Sequence, residues 1–162
     1  MKKWVFVSVF IALVSSGCKK DEGCKSVAPT TTASASESAY LQNYLTTNNI
    51  TASQKNGMYY VITSQGTGAS PNLCSSISVD YVGKLINGTS DGAQFDASQP
   101  NNPFVSNLNN LIAGWQLVLP LIKAGGTVTL YIPPSLGYGS RASGPIPPDS
   151  YLKFVITLKS VN

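Results

Sequence analysis

The stretch YLKFVITLKSV, Tyr151 to Val161, constrains the fold more than any other part of the chain. Leu152, Phe154, Ile156 and Leu158 recur at every second position, and a strand puts alternate side chains on opposite faces. The segment therefore reads as a strand with one buried face, which needs a sheet around it and something apolar beneath it. Other segments supply the sheet. MYYVIT (Met58 to Thr63) reads as a first strand, and TVTLYI (Thr127 to Ile132) alternates in the same way. In ISVDYVGKL, Ile77, Val79 and Tyr81 share a face, while Asn87-Gly88 and Asp91-Gly92 mark turns.

One apolar stretch breaks the period of two. In NLIAGWQLVLPLIKAGG, the residues Ile112, Trp115, Leu119 and Ile122 form a helical stripe, and Gly125 marks a stop. Pro120 is awkward inside a helix and limits the regular part to about two turns. Many short strands with one helix give an α+β plan: a twisted antiparallel β-sheet wrapped around one short α-helix. Upstream, Tyr40, Leu41, Tyr44 and Leu45 predict a short extra N-terminal helix, capped by Ser36 or Ser38 and ended by TTNN.

The N-terminus reads as an address. MKKWVFVSVFIALVSSGC has two lysines, an apolar run from Trp4 to Val14, and small residues before Cys18. That run is too short to span a bilayer, which takes about 20 residues, and fits a signal peptide. Ser15-Ser16-Gly17-Cys18 resembles the lipobox of bacterial lipoproteins, in which lipid is attached to the cysteine after cleavage; an ordinary cleaved signal with an incidental cysteine is the alternative. The expected organisation is a signal peptide over 1–17, a lipidated flexible tether over 18–36, a short helix and connection over 37–56, and one folded domain over 57–162. KSVAPTTTASAS is too poor in apolar residues to order itself. The address points to the cell envelope, lipid-anchored and outer-membrane, in either leaflet. Cys24 and Cys74 are either a disulfide permitted by export or two unrelated thiols, and spacing does not decide between them.

Composition then excludes several function classes. There is no histidine among the 162 residues, which removes His-based nucleophile systems and His-ligated metals. Three scattered cysteines make a thiolate zinc site a poor reading, so neither metal nor cofactor is expected. The formal charge of +4 is concentrated at the N-terminus, and the scattered charges from Lys55 onward leave no basic patch for nucleic acid.

Six motifs then occur in order: VDYVGKL, GAQFDAS, PF, LIAGWQLVLPLIKAGG, LYIPPSLGYG and IPPDSYLKF. Together they strongly resemble the FKBP-type peptidyl-prolyl isomerases, the immunophilins that bind macrolides, over roughly Gly57 to Asn162. The resemblance implies rotation about X–Pro bonds in proline-containing polypeptides, with help to the folding of exported proteins as its use. It implies a pocket in which Trp115 is the floor and Tyr81, Phe95, Phe104 and Phe154 are walls. Leu111 and Ile112 complete that pocket, Leu111 standing where many members carry valine. By the same resemblance Tyr138 and the backbone N–H of Ile146 donate to substrate carbonyls, and Asp96 sits beside the rotating bond. Taken one at a time, each of these residues has a plainer reading: core aromatics, a turn cap at Asp96, a loop closure at Tyr138. A proline-segment-binding chaperone module with little turnover is the competing function. The tip SRASGP departs from the family's usual segment, and with it sequence preference and macrolide affinity. A monomer is expected, held to the membrane through N-terminal lipid.

Overall fold

The computed structural model describes residues 25–162. The expectations for the signal peptide, Cys18 and Cys24 lie outside that range. Helix α1 (Ala35–Thr47) is followed by strands β1 (Ser53–Lys55), β2 (Met58–Ser64), β3 (Ser76–Asn87), β4 (Ser90–Ala97) and β5 (Phe104–Asn107). Helix α2 (Ala113–Val118), strand β6 (Thr127–Ile132) and strand β7 (Tyr151–Val161) complete the chain. The strands form one 7-stranded sheet in the order β1-β2-β6-β7-β3-β4, with β5 also paired to β3. Every pairing is antiparallel.

β7 behaves as its alternation requires. Leu152, Phe154, Ile156 and Leu158 are buried, with at most 3% of their surface exposed. They face α2, where Trp115, Leu117 and Val118 are buried in the same core. α2 is one short helix continued by a 3-10 turn, Leu119–Leu121, that absorbs Pro120. Its approach to the sheet is close: a Cβ on Gly114 would lie 2.7 Å from Ile132 Cδ1, so only glycine lets α2 sit this low on β6.

The opposite face of the sheet carries a second apolar cluster, in which Leu41, Tyr44 and Leu45 of α1 pack on Tyr59, Ile86 and Tyr131. α1 begins earlier than its apolar spacing indicates, because Ser34 and not Ser36 or Ser38 is the cap. The Ser34 hydroxyl takes the Glu37 N–H while the Glu37 carboxylate takes the Ser34 N–H, a reciprocal capping box. Polar contacts then fix the helix sideways. Tyr40 stacks on Tyr151 at 3.9 Å between ring centroids and accepts the Gly88 N–H. Tyr44 donates to Asp91 at 2.5 Å, and Asn48 donates to the Thr89 carbonyl.

Part of the segment expected to be a loose tether is tied to the domain. Ala33 donates to the Asn56 carbonyl, Asn56 Nδ2 donates to the Thr31 carbonyl, and Asn109 Nδ2 donates to the Ser26 hydroxyl. Apolar content, on which the tether reading rests, takes no account of asparagine side chains that capture extended backbone. Cys74 is disulfide-bonded.

The Asp91 cluster predicts a pH dependence. Burial acts to raise the Asp91 pKa, but the hydrogen bonds from Tyr44 and Lys153 and the charges of Lys153 and Lys84 outweigh it and hold the carboxyl below its usual 3.8. A depressed carboxyl contributes stability that is complete above its unfolded value and is lost as pH falls through the folded one. Urea unfolding at decreasing pH should therefore show stability falling in and below the ordinary carboxylate range. Asp91→Asn should lower stability near neutrality and flatten that fall; an unchanged slope would remove Asp91 from the explanation.

Candidate functional site

The cavity opens where the first turn of α2 meets the sheet. Its volume is about 160 Å³, and it is lined by Tyr81, Asp96, Phe104, Leu111, Ile112, Trp115, Tyr138 and Phe154. Each side chain arrives from a different piece of local structure. Tyr81 continues the inward face of β3 after Ile77 and Val79. Phe104 opens β5, Trp115 stands on α2, and Phe154 stands on β7.

β4 contributes through a bulge. Gly83 pairs with Asp96 and Lys84 pairs with Gln94, so Phe95 is the extra residue. A bulge re-aims neighbouring side chains, which would otherwise alternate between faces. Both residues thus serve the site: Phe95 meets Phe154 edge-on at 5.4 Å, and Asp96 lines the cavity itself.

The aromatic rings support one another at right angles. Trp115 lies 5.5 Å from Tyr81 at 78° and 5.2 Å from Phe154 at 87°, while Phe104 lies 5.8 Å from Tyr81 at 77°. Such edge-to-face contacts fix ring planes as well as burying area. The buried Trp115 Nε1 has no hydrogen-bond partner among the described residues.

The polar groups are few and differently engaged. Tyr81 donates its hydroxyl to Asp96 Oδ2 at 2.5 Å, and the other Asp96 oxygen accepts the Ala97 N–H. Burial, then the bond to Asp96 and its charge, push the Tyr81 hydroxyl pKa well up, so the phenol stays protonated and donating. Tyr138 is 38% exposed. Burial of its hydroxyl and the nearby Asp96 charge raise its pKa too, keeping it a donor at neutral pH. No residue of the described chain takes that proton.

Ile146 departs from expectation. It is buried and does not line the cavity, and its N–H already donates to the Ser143 carbonyl at 3.0 Å. Ser143 and Ile146 exchange both backbone bonds across a tight turn at Gly144-Pro145, so the chain uses this donor internally. The N–H left over is that of Ile112, which lines the cavity and has no acceptor among the described residues. Its orientation is set by Gln116, whose Nε2 donates to the Leu111 carbonyl at 2.6 Å and to the Asn109 carbonyl at 3.2 Å. Sequence patterning does not reveal the open Ile112 N–H or the part of Gln116, because both depend on the path of the turn before α2.

A protein-family model described as FKBP-type peptidyl-prolyl cis-trans isomerase matches residues 68–159, which include every residue lining the cavity. The chain is 40% identical over 108 residues to peptidyl-prolyl cis-trans isomerase Mip of Coxiella burnetii, covering 65% of this chain and 45% of that protein. It is 38% identical over 107 residues to outer membrane protein MIP of Legionella longbeachae, covering 65% of this chain and 44% of that one. The chain thus spans less than half the length of these curated relatives. The crystal structure of FkpA from Escherichia coli superposes with a TM-score of 0.63 at 31% identity, covering 78% of this chain and 62% of that chain.

Proposed function

The chain belongs to the FKBP-type peptidyl-prolyl cis-trans isomerase family, and on that premise we propose that its cavity catalyses rotation about X–Pro bonds in exported polypeptides. The observation that carries this reading is a small aromatic chamber with unspent donors at its rim. A cavity of about 150 Å³ admits a ring the size of benzene, and this one, at about 160 Å³, is of that scale. A proline ring fits the same description.

The reaction makes no lasting change in bonding. Rotation removes amide resonance, a barrier of about 18–20 kcal/mol, so the free reaction takes tens to hundreds of seconds. As the peptide twists, its carbonyl loses partial negative charge and its nitrogen becomes pyramidal. A dry box of Trp115, Phe154, Tyr81 and Phe104 solvates the planar, charge-separated amide poorly and the twisted one less poorly. The Tyr138 hydroxyl and the Ile112 N–H donate to carbonyls on either side of the ring and hold the segment in the twisted geometry. Ile112 thereby takes the part first expected of Ile146. Asp96 holds the Tyr81 hydroxyl and presents its charge beside the rotating bond. Phe95 acts from behind, by fixing Phe154, and Leu111 closes the apolar wall.

Tyr138→Phe and Asp96→Ala should each lower turnover about tenfold, a loss of transition-state stabilisation, while shifting the urea midpoint little. Turnover equal to the parent in both variants would refute these roles.

The relative named outer membrane protein MIP supports an envelope location for this chain. The lipobox-like Ser15-Ser16-Gly17-Cys18 supports lipid on Cys18 as the anchor; among the described residues no helix is long and apolar enough to cross a membrane. Mass spectrometry of the mature N-terminus checks this: a diacyl or triacyl adduct on Cys18 is expected, and a free thiol there would contradict it.

A further inference from the structure

We propose that Glu37 of helix α1 is a positioning residue for Tyr138, so that the helix on the outer face of the sheet helps set the geometry of the cavity. The inference rests on the role given to Tyr138 above. One carboxylate serves two segments far apart in sequence. Glu37 Oε2 accepts the Ser34 N–H at 2.8 Å and closes the cap of α1. The same carboxylate takes the Ser135 N–H on Oε1 at 2.9 Å and the Ser135 hydroxyl on Oε2 at 3.0 Å.

Ser135 lies in the 3-10 turn Pro134–Leu136, which only Gly137 separates from Tyr138. That turn is short and closed on itself: Gly137 and Gly139 both donate to the Pro134 carbonyl, at 3.0 and 2.9 Å. The backbone on both sides of Tyr138 is therefore tied to the residue before Ser135. Leu136 is fully buried and anchors the turn from the core side. Glu37 anchors it from the other side, and a turn pinned at two faces cannot roll about either one.

α1 is a stiff lever for this purpose. Its other contacts, Tyr40 on Tyr151 and Tyr44 on Asp91, reach β7 and β4. β4 also carries Phe95 and Asp96. One helix thus spans the strand that brings Asp96 and the turn that brings Tyr138. Hydrogen bonds to a charged acceptor are about twice as strong as neutral ones, which is why a glutamate and not a glutamine suits a carboxylate shared by several donors.

The test is a double-mutant cycle on the full chain, with prolyl isomerisation of a peptide as readout. Glu37→Ala should lower kcat/KM about fivefold, mostly in kcat, and Glu37→Gln should restore part of the loss. In a Tyr138→Phe background, Glu37→Ala should cost nothing further. An equal loss in both backgrounds would show a general structural effect and overturn the proposal. Amide and ring NMR supplies a readout independent of turnover. Glu37→Ala should remove hydrogen-exchange protection at Ser135 and shift the Tyr138 ring signals while leaving those of β7 in place. If Tyr138→Phe leaves turnover unchanged but these shifts occur, the catalytic role of Tyr138 fails and the clamp stands. If the Tyr138 signals do not move, the clamp fails.

Discussion

Replacing Phe154 with alanine should remove a large fraction of the domain's margin of stability and, in the molecules that remain folded, most of the activity. Phe154 is 3% exposed and is shared by the core and the cavity. Its ring meets Trp115 at 5.2 Å, Phe95 at 5.4 Å and Tyr81 at 6.2 Å. Deleting a buried phenylalanine costs roughly 3–5 kcal/mol, from lost transfer energy and from the void left behind. Against a total of roughly 5–15 kcal/mol for a domain, that is a large fraction. The void opens among rings that Phe154 otherwise holds apart, two of them edge-on and Tyr81 tilted, so the cavity should widen and admit water. Urea unfolding should show the loss directly. Turnover per folded molecule should fall at least about tenfold, because the dry wall acts on the twisted amide and not on binding alone. A variant with parent stability, or with parent turnover per folded molecule, would mean that Phe154 is not the shared wall described here.

The second large effect is expected at Gly83. A Cβ there would lie 2.7 Å from Phe95 Cε2 and Cζ and 2.9 Å from Phe154 Cε1. Gly83 pairs with Phe154 on one side and Asp96 on the other, so its backbone has no room to withdraw. Gly83→Val gains β-propensity, worth at most about 1 kcal/mol. The overpacking it causes costs typically 1–3 kcal/mol, and the rings must shift to accept it. Overpacking wins. Stability should fall modestly and activity further, since small displacements of catalytic groups are amplified in rate, by as much as about a hundredfold per ångström. The discriminating result is the ratio: turnover per folded molecule should drop even where the urea midpoint has moved little. A fully active Gly83→Val variant would contradict the close-packed wall.

Much of the fold is legible in the sequence because its elements obey one period each. β6 and β7 span the residues that alternation indicates, and β2 differs by a residue at its end. The stripe through Trp115 gives a helix of about the expected extent, with Pro120 relieved in a 3-10 turn. The N-terminal helix is legible as an element but not in its start, because the cap is set by Ser34 and Glu37, outside the apolar pattern.

The site is legible as a set of residue types in order, and less so as geometry. The bulge that brings Phe95 and Asp96 to one region depends on pairing between β3 and β4, which periodicity within β4 cannot show. The Ile146 N–H is consumed by a turn that closes locally, while the Ile112 N–H stays open because it precedes the first turn of α2. Both follow from hydrogen-bond accounting, which requires the folded backbone. Gly83 is a steric signal of the wall, since a glycine inside a strand marks close approach by another group.

Protease-coupled isomerisation of a proline-containing peptide tests the central claim most directly, run with and without a macrolide that occupies the cavity. The account predicts cis-to-trans conversion well above the uncatalysed rate, with no added metal or cofactor, and loss of that acceleration when the cavity is filled. Binding of the peptide with no acceleration would contradict it, and would make the cavity a proline-segment-binding chaperone site.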